Sequence, residues 1–246
     1  MEFEKYATDM INNSRIIVSK SFIHGHGVEI GGGDRPLTLF NGAVSDQIDA
    51  LNGEDLKSYF DNSISISTKQ INVMDMNLFY KDLDFVIAMH VIEHLQNPIK
   101  FMEVIHDILI SDGILVLAVP MKEHCADVDR NLTTWSHLIQ DYDSDGKATL
   151  ALHTREFFEF VVPKTKELGH KLLGPWIEYS KLVSKTNDIN DAAKALAQEE
   201  NLDIHFHVWN EDSFMDFIQN IQTRINFKIL LAHFVFNELI VVLKKQ

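Results

Sequence analysis

The segment Val28-Glu29-Ile30-Gly31-Gly32-Gly33 decides the fold class of this chain. An apolar stretch that holds one carboxylate runs directly into three glycines, which predicts a strand that ends in a tight turn. Glycine adopts backbone conformations that other residues avoid, and it lets a ligand approach the main chain closely. Such a strand and turn, early in an α/β chain, are typical of a nucleotide-type site at the carboxyl end of a central strand.

The glycine turn does not match the dinucleotide-binding fingerprint. That fingerprint requires a third glycine at position 36, where the next helix packs against the strand. The chain has Pro36 there, which also favours extended conformations for Arg35. The surviving pattern is acid-x-Gly-x-Gly, from Glu29 to Gly33, and it predicts that a helix after the turn starts late or is short.

Composition limits the classes of protein that fit. The 246 residues suit one elaborated domain, and 36 acidic against 22 basic residues give a formal net charge of −14. Because nucleic-acid binding relies on basic surfaces, this balance disfavours a nucleic-acid partner. The single cysteine, Cys125, fits a reducing compartment. We find no signal-peptide pattern and no apolar run of about 20 residues, so we expect a cytoplasmic protein without a membrane partner.

Two further segments carry a family resemblance. Residues 84–98, DFVIAMHVIEHLQNP, begin with a continuous apolar run that predicts a strand buried on both faces of a parallel sheet. Residues 111–120, SDGILVLAVP, predict a turn and the next strand. Together with the glycine turn they resemble the class I S-adenosylmethionine-dependent methyltransferases, most closely the subgroup with an "hvlEHl" signature. The resemblance implies an α/β fold: a Rossmann-like, doubly wound sheet of seven strands with an antiparallel last strand.

The resemblance also implies S-adenosylmethionine as the cofactor and a shell of residues around it. Asp49 has the spacing of the acid that binds ribose hydroxyls, or it caps a helix over 53–60. Asp75 ends a predicted strand, Ile71 to Asp75, and is either near the adenine or a solvated loop residue. The expected cofactor-binding residues are Glu29, Gly31, Gly32, Gly33, Asp49, Leu51, Asp75, Met76 and His90.

An insertion separates the fifth strand from the end of the sheet. Because no proline- or glycine-rich linker bounds it, we interpret residues 121–211 as a helical cap for substrate recognition within a single domain of residues 1–246. The elements predicted after Pro120 are cap helices over 154–161 and 188–198, a crossover helix over 213–222, and strands over 227–234 and 238–243.

The cap carries polar residues in a distinctive pattern. Residues 129–142 read DRNLTTWSHLIQDY, and HFHV follows at 205–208. This pattern resembles methyltransferases assigned to bacterial surface-polysaccharide gene clusters, which implies a saccharide or another small molecule as the acceptor. His137 and Asp141 are four residues apart and would lie side by side on a helix. The two histidines of HFHV would share one face of an extended segment.

Three interpretations of the histidines compete. In the favoured one they line a polar acceptor pocket, where one imidazole is the general base for a hydroxyl. In the second, His90, Glu93 and His94 share one face of a helical turn and bind a divalent metal ion. In the third, the histidines are structural. The first interpretation assigns catalysis to His94, His137 and His153, substrate binding to Arg130, Asp141, His205 and His207, and no residue to a metal.

The expected function is methyl transfer from S-adenosylmethionine to an oxygen, in preference to a nitrogen, of a small polar molecule such as a sugar. Arg130 would clamp a carboxylate or phosphate of that acceptor. Two alternatives stay open. One is a non-catalytic binding protein that retains the fold. The other is a metal-dependent methyltransferase with a different substrate, in which His90 replaces the glutamate of related enzymes.

Overall fold

The computed structural model describes residues 2–60, 68–169, 172, 174–186, 188–199 and 202–246. In these residues the strands are β1 (His26–Ile30), β2 (Val44–Asp49), β3 (Lys69–Gln70), β4 (Leu83–Met89), β5 (Leu109–Pro120), β6 (Phe227–Val235) and β7 (Glu238–Lys245). The α-helices are α1 (Glu2–Phe22), α2 (Gly53–Phe60), α3 (Pro98–Ile108), α4 (Trp135–Ser144), α5 (Leu150–Glu156), α6 (Val162–Glu167), α7 (Trp176–Thr186), α8 (Ile189–Leu196) and α9 (Glu211–Gln222). None of these helices combines the length and the apolar character that a membrane span requires.

One seven-stranded sheet, in the order β3-β2-β1-β4-β5-β7-β6, organises the described residues. The pairs among β1 to β5 are parallel, whereas β7 runs antiparallel to both of its neighbours. The predicted doubly wound sheet with an antiparallel last strand is therefore confirmed. The strand order reverses between β1 and β4, and α/β sheets bind their ligands outside the carboxyl ends of the strands at such a switch point.

Strand β4 shows how the sequence builds the core. Phe85 and Ile87 are buried on the face that α1 covers, whereas Val86 and Ala88 are buried on the face that α3 and α9 cover. All four side chains have no exposed surface, as the continuous apolar run predicts for a parallel strand. Burial of each large apolar side chain stabilises the fold by roughly 1.5–3 kcal/mol. The residues that follow β4 are therefore held on a firm base.

The connection from β1 to β2 differs from the sequence prediction. Residues 31–43 contain no helix, where a late or short one is predicted. Pro36 has no N–H to donate, and the next N–H, that of Leu37, binds the Glu29 carboxylate instead of a helical carbonyl. The Ser19 hydroxyl of α1 donates to a carbonyl of this connection. The connection consequently has no regular secondary structure and packs beside α1.

The segment before β4 also differs from its prediction. β3 is limited to two residues, and a 3₁₀ helix, Val73–Leu78, replaces the strand expected over 71–75. The Asn72 side chain accepts a hydrogen bond from the Met74 N–H at 3.0 Å. This N-cap starts the 3₁₀ helix and diverts the chain from the sheet. The prediction of a strand over 71–75 is therefore wrong.

The cap has a hydrophobic cluster of its own, built mainly from residues 157–162, α7, α8 and the described residues that follow α8. A π-helix, Phe157–Val161, links α5 to α6, so the helix predicted over 154–161 is part of a longer helical segment. Pro163 cannot donate to the carbonyl four residues before it, which favours the wider turn. Asp188 caps α8, which matches most of the helix predicted over 188–198. A few cap positions lie outside the described residues.

Main-chain contacts join the cap to the sheet at two points. The N–H groups of Phe206 and His207 both point to the Glu93 carbonyl, at 2.7 and 3.3 Å. Met121, directly after β5, forms a parallel bridge with Trp209. The cap therefore returns to the carboxyl edge of the sheet beside the ends of β4 and β5.

Candidate functional site

The glycine turn lies at the carboxyl edge of the sheet, between β2 and β4. Gly31 has a φ of +66° and Gly33 a φ of +53°, a conformation that costs other residues roughly 1–2 kcal/mol. A Cβ atom at Gly31 would lie 2.8 Å from Val91 Cγ2, on the segment after β4. The turn therefore requires glycine for its backbone conformation and for its close approach to the next strand.

The buried Glu29 carboxylate supports this turn. It accepts hydrogen bonds from the Leu37 N–H at 2.8 Å and from the Gln47 side-chain amide at 2.9 Å. Burial raises the pKa of Glu29, although both hydrogen bonds favour its ionised form. Because the protein's own donors occupy its oxygens, Glu29 serves the site by holding the loop in place.

Asp49 ends β2 beside the turn. Its Oδ1 accepts the Leu51 N–H at 3.0 Å. Burial, the largest influence, raises the pKa of Asp49, and the nearby charges of Asp203 and His94 also act on it. The Asn52 side chain caps α2 by accepting its first N–H groups. The alternative in which Asp49 caps that helix is therefore wrong.

The 3₁₀ helix gives two of the expected cofactor residues, Asp75 and Met76, different surroundings. The Asp75 side chain is exposed, whereas the Met76 side chain is completely buried in the main core. Met76 therefore has no side-chain surface for a ligand, and its place in the cofactor shell, through its main chain, stays a prediction. The difference between the two residues follows from the period of the 3₁₀ helix, which turns adjacent residues toward different surroundings.

His90, which follows β4, contacts the carboxylates of Glu238 and Glu93. Its Nε2 lies 2.8 Å from Glu238 Oε2, and its Nδ1 lies 3.6 Å from Glu93 Oε1. Arg15 of α1 donates to the same Glu238 at 3.0 Å. Burial disfavours the imidazolium, but the hydrogen bonds to Glu238 and Glu93 outweigh it and raise the pKa of His90 to about 9. Its binding of a cofactor stays a prediction.

We expect deprotonation of His90 to lower the thermal stability as the pH rises. Because its pKa is raised in the folded chain, the stabilisation is complete below the ordinary value of 6.5 and is lost as the pH passes through about 9. His90 has a φ of +55°, which asparagine tolerates, so His90→Asn should remove this part of the decrease in stability. Melting temperatures measured by calorimetry between about pH 6 and 9.5 check it. Parallel curves for the two proteins would contradict it.

Two histidine–carboxylate pairs meet where the cap returns to the sheet. His205 Nδ1 lies 2.6 Å from Asp127 Oδ2, and His94 Nδ1 lies 2.7 Å from Asp203 Oδ1. The two imidazoles pack edge to face, with ring centroids 4.7 Å apart. The buried Glu93 carboxylate completes the group, and ligand-capable atoms of Glu93, His94 and His205 all lie within 4.8 Å of one another.

Charge interactions outweigh burial in this group. Burial opposes ionisation of Asp127, but His205 and Arg130 hold its pKa well below its usual range. Burial opposes protonation of His94, but Asp203 reverses this and raises the pKa of the imidazole. The pKa of Asp203 is lowered in turn. The pairs therefore combine ionised carboxylates with an imidazole at His94 that favours its protonated form.

Arg130 is a structural residue of the cap. Its side chain is 2% exposed, and its guanidinium donates to Asp127 and to Glu156. It also donates to the carbonyls of His205 and Phe206, at 2.8 and 3.0 Å. Because protein acceptors occupy the guanidinium, the expectation that Arg130 clamps an acceptor is corrected.

Four other predicted site residues form a separate buried cluster. His137 and Asp141 project from α4, His153 from α5, and His207 from the segment before α9. His137 Nε2 lies 3.1 Å from His153 Nε2 and 3.2 Å from Asp141 Oδ2, and His207 Nε2 lies 3.8 Å from the same oxygen. Burial, the largest influence, lowers the pKa of His153 to about 3 and that of His207 well below its usual value.

This cluster changes the roles expected for its members. Asp141, His153 and His207 are at most 2% exposed, so they offer an acceptor no surface. His137 exposes 20% of its side chain. The expected catalytic residues are thus divided: His94 lies beside His205 at the sheet edge, whereas His137 and His153 lie in the buried cluster. Among the described residues, the two groups with metal-ligand geometry are this cluster and Glu93-His94-His205.

Three carboxylates of the site were missed by sequence reasoning. Asp127 and Asp203 bind the histidines of the sheet-edge pairs, and Glu238 binds His90. Asp127 and His205 are 78 positions apart, and no spacing rule connects them. Asp127 offered one weak signal, because it precedes Arg130 by three residues, just before the distinctive cap stretch at 129–142.

Comparison with known proteins is consistent with this geometry. A family model described as a methyltransferase domain matches residues 16–156. No curated protein matches in sequence. A solved structure from Listeria monocytogenes, described as an S-adenosylmethionine-dependent methyltransferase, is 12% identical over 95% of this chain and 97% of that chain, with a TM-score of 0.50. The N-methyltransferase NodS from Bradyrhizobium japonicum, in complex with S-adenosyl-L-homocysteine, is 10% identical over 95% and 85%, with a TM-score of 0.45. At 12% identity, the likeness to the Listeria monocytogenes structure shows the fold alone.

Proposed function

Because the chain belongs to the methyltransferase domain family, we propose that it transfers the methyl group of S-adenosylmethionine to a hydroxyl oxygen of a small polar acceptor. The observation that supports this best is the His205–Asp127 pair at the carboxyl edge of the doubly wound sheet. The acceptor class that we propose is a sugar or a surface-polysaccharide precursor, recognised by the cap.

The carboxyl edge fits the cofactor. The glycine turn leaves bare main chain where a side chain at Gly31 would collide with Val91. We assign Asp49 as the acceptor for the ribose hydroxyls and the exposed Asp75 as the acceptor for the adenine amino group. Bound S-adenosylmethionine would supply a methyl group activated by its sulfonium. The chain contributes orientation, which accounts for much of the acceleration of a displacement between two bound reactants.

His205 is the residue that we assign as the general base. A hydroxyl acceptor loses its proton as its oxygen takes the methyl group. The Nδ1–H of His205 donates to Asp127, which leaves the basic lone pair on Nε2. The ionised Asp127 also stabilises the imidazolium that forms. His94, whose pKa Asp203 raises, suits a role in binding the acceptor better than proton removal.

Aromatic and acidic groups near His205 suit a polar, ring-shaped acceptor. The Trp176 ring lies edge to face with His205, with centroids 6.0 Å apart, and its indole N–H donates to the Asp203 carbonyl at 2.7 Å. The Tyr59 hydroxyl of α2 donates to the Asp203 carboxylate at 2.9 Å. Ligand sites commonly combine aromatic faces with a few fixed polar groups. These groups support recognition of the acceptor by the cap.

Gly31→Ala is expected to weaken binding of S-adenosylhomocysteine by about 10- to 100-fold. The substitution adds the cost of a left-handed conformation, roughly 1–2 kcal/mol, and a Cβ that meets Val91 at 2.8 Å. Titration calorimetry measures the affinity. The control is Gly42→Ala in the same connection, where φ is +73° but nothing lies within 4 Å of the added Cβ.

The control separates a local effect from general destabilisation. Gly42→Ala should bind S-adenosylhomocysteine as the unmodified protein does, whereas Asp49→Ala should weaken binding by removing the ribose acceptor. Equal losses in the two glycine variants would contradict a specific role of the glycine turn. Failure of the unmodified protein to bind either S-adenosylmethionine or S-adenosylhomocysteine would contradict the proposed function.

A further inference from the structure

We propose that His137, Asp141, His153 and His207 bind one zinc-like divalent metal ion. The four residues come from α4, α5 and the segment before α9, which the metal would join inside the cap. Imidazole and carboxylate are ligands that suit zinc and similar first-row ions. The inference concerns the buried cluster and does not depend on methyl transfer at the sheet edge.

The spacing of the four ligand atoms fits a tetrahedral ion. A Zn–N or Zn–O bond of about 2.0–2.1 Å places neighbouring ligand atoms about 3.3 Å apart in a tetrahedron. In the cluster, the distances from His137 Nε2 to His153 Nε2 and to Asp141 Oδ2 are 3.1 and 3.2 Å. The distance from His207 Nε2 to Asp141 Oδ2 is 3.8 Å, and the four residues each offer one ligand atom within 4.8 Å of the other three.

The cluster is also short of hydrogen bonds in the described residues. Asp141 Oδ2 and His207 Nε2 are buried without a hydrogen-bond partner. Buried polar atoms that are left unsatisfied in this way destabilise a fold. A cation bound to Asp141 Oδ2 and to one nitrogen of each imidazole removes most of this cost. Direct hydrogen bonding does not do so for His207, because its Nε2 lies 3.8 Å from Asp141 Oδ2, beyond hydrogen-bond distance.

The surroundings fix the ligands in place. The Thr149 hydroxyl donates to Asp141 Oδ1, which leaves Oδ2 directed into the cluster. Hydrogen bonds of this kind orient metal-binding carboxylates. Burial keeps His153 and His207 neutral, the form that binds metals. Four protein ligands complete a tetrahedral zinc site, which is typical of structural zinc.

The other metal-capable group, Glu93-His94-His205, is less suited to the same ion. Both of its histidines already pair with ionised carboxylates, Asp203 and Asp127. It offers three protein ligands and contains the residue that we assign as the general base. Its histidines are also 28% and 18% exposed, whereas Asp141 and His207 are completely buried.

Zinc uptake by the intact chain tests the inference. Protein stripped with a chelator and then titrated with zinc chloride should bind one zinc per chain, measured by elemental analysis after gel filtration. Its melting temperature should rise by about 5 °C or more at saturating zinc, as expected for tight binding to the folded state. His137→Ala, at the most exposed ligand, should lose both the bound zinc and the temperature rise.

Two control variants locate the site. His24→Ala, at an exposed histidine between α1 and β1, should retain one zinc per chain, and so should His205→Gln. The unmodified protein supplies the decisive result if His137→Ala does not fold: no uptake of zinc overturns the proposal. Zinc that stays bound to a folded His137→Ala variant also overturns the proposal. So does loss of zinc from His205→Gln when His137→Ala retains it.

Discussion

Replacing His205 with glutamine is expected to lower kcat for methyl transfer by about 10²- to 10⁴-fold, the usual contribution of a general base. Glutamine retains a polar side chain but cannot take up the acceptor's proton. Binding of S-adenosylhomocysteine should change by less than about twofold, because His205 lies on the cap side of the site and acts on the acceptor. A large loss of kcat with unchanged cofactor affinity distinguishes a base from a residue that only supports the fold.

The measurement is release of S-adenosylhomocysteine with a panel of monosaccharides and sugar phosphates as acceptors. His94→Gln is the matched comparison, because His94 is the neighbouring imidazole and has its own carboxylate partner. If His94 binds the acceptor, this variant should raise KM more than it lowers kcat. A larger kcat loss in His94→Gln than in His205→Gln would show that His94 is the general base and that His205 binds the acceptor. Turnover with any acceptor excludes the alternative of a non-catalytic binding protein.

Arg130→Ala is expected to destabilise the chain by about 3–5 kcal/mol. The substitution leaves the buried Asp127 without its cation and frees two buried carbonyls, those of His205 and Phe206. Loss of one partner of a buried ion pair costs this much because the remaining charge stays buried. Urea unfolding followed by circular dichroism measures the change in the free energy of unfolding.

The control for Arg130 is Arg155→Ala, close by in the cap. Arg155 is 55% exposed and pairs with Glu159, also exposed, at 3.2 Å. Exposed ion pairs contribute roughly 0–1 kcal/mol, so this variant should unfold almost as the unmodified protein does. Similar losses for both arginines would show that Arg130 is not the cation that stabilises Asp127.

The sheet was predictable because its signals are local. The apolar run at 84–89 and the glycine turn at 31–33 each define a strand end within a few residues, and both are where they were expected. The third strand failed because one side-chain cap at Asn72 outweighed a weak apolar pattern. Short segments of sequence were therefore sufficient to predict the fold and the carboxyl edge of the sheet, where we propose that the cofactor binds.

The acceptor side could be predicted only in part. Sequence reasoning placed the histidines of the cap in one pocket, whereas the structure divides them into two groups. The division arises because the neighbours of His205 and His207 come from different parts of the chain. Asp127 and Arg130, between β5 and α4, lie beside His205, whereas His137 of α4 and His153 of α5 lie beside His207. Such partners are set by tertiary packing, and no spacing in the chain encodes them.

The junction between the cap and the sheet has a consequence for protein engineering. The Glu93 carbonyl receives N–H groups from the returning end of the cap, and Trp209 bridges to the residue after β5. Both contacts lie where the cap returns to the carboxyl edge of the sheet, so excision of residues 121–211 would remove them. Under the proposed role of the cap in acceptor recognition, an exchange of specificity should replace side chains within the cap, such as Trp176, and retain its two ends. Side chains inside the cap can be substituted, whereas removal of the whole cap would break its junction with the sheet.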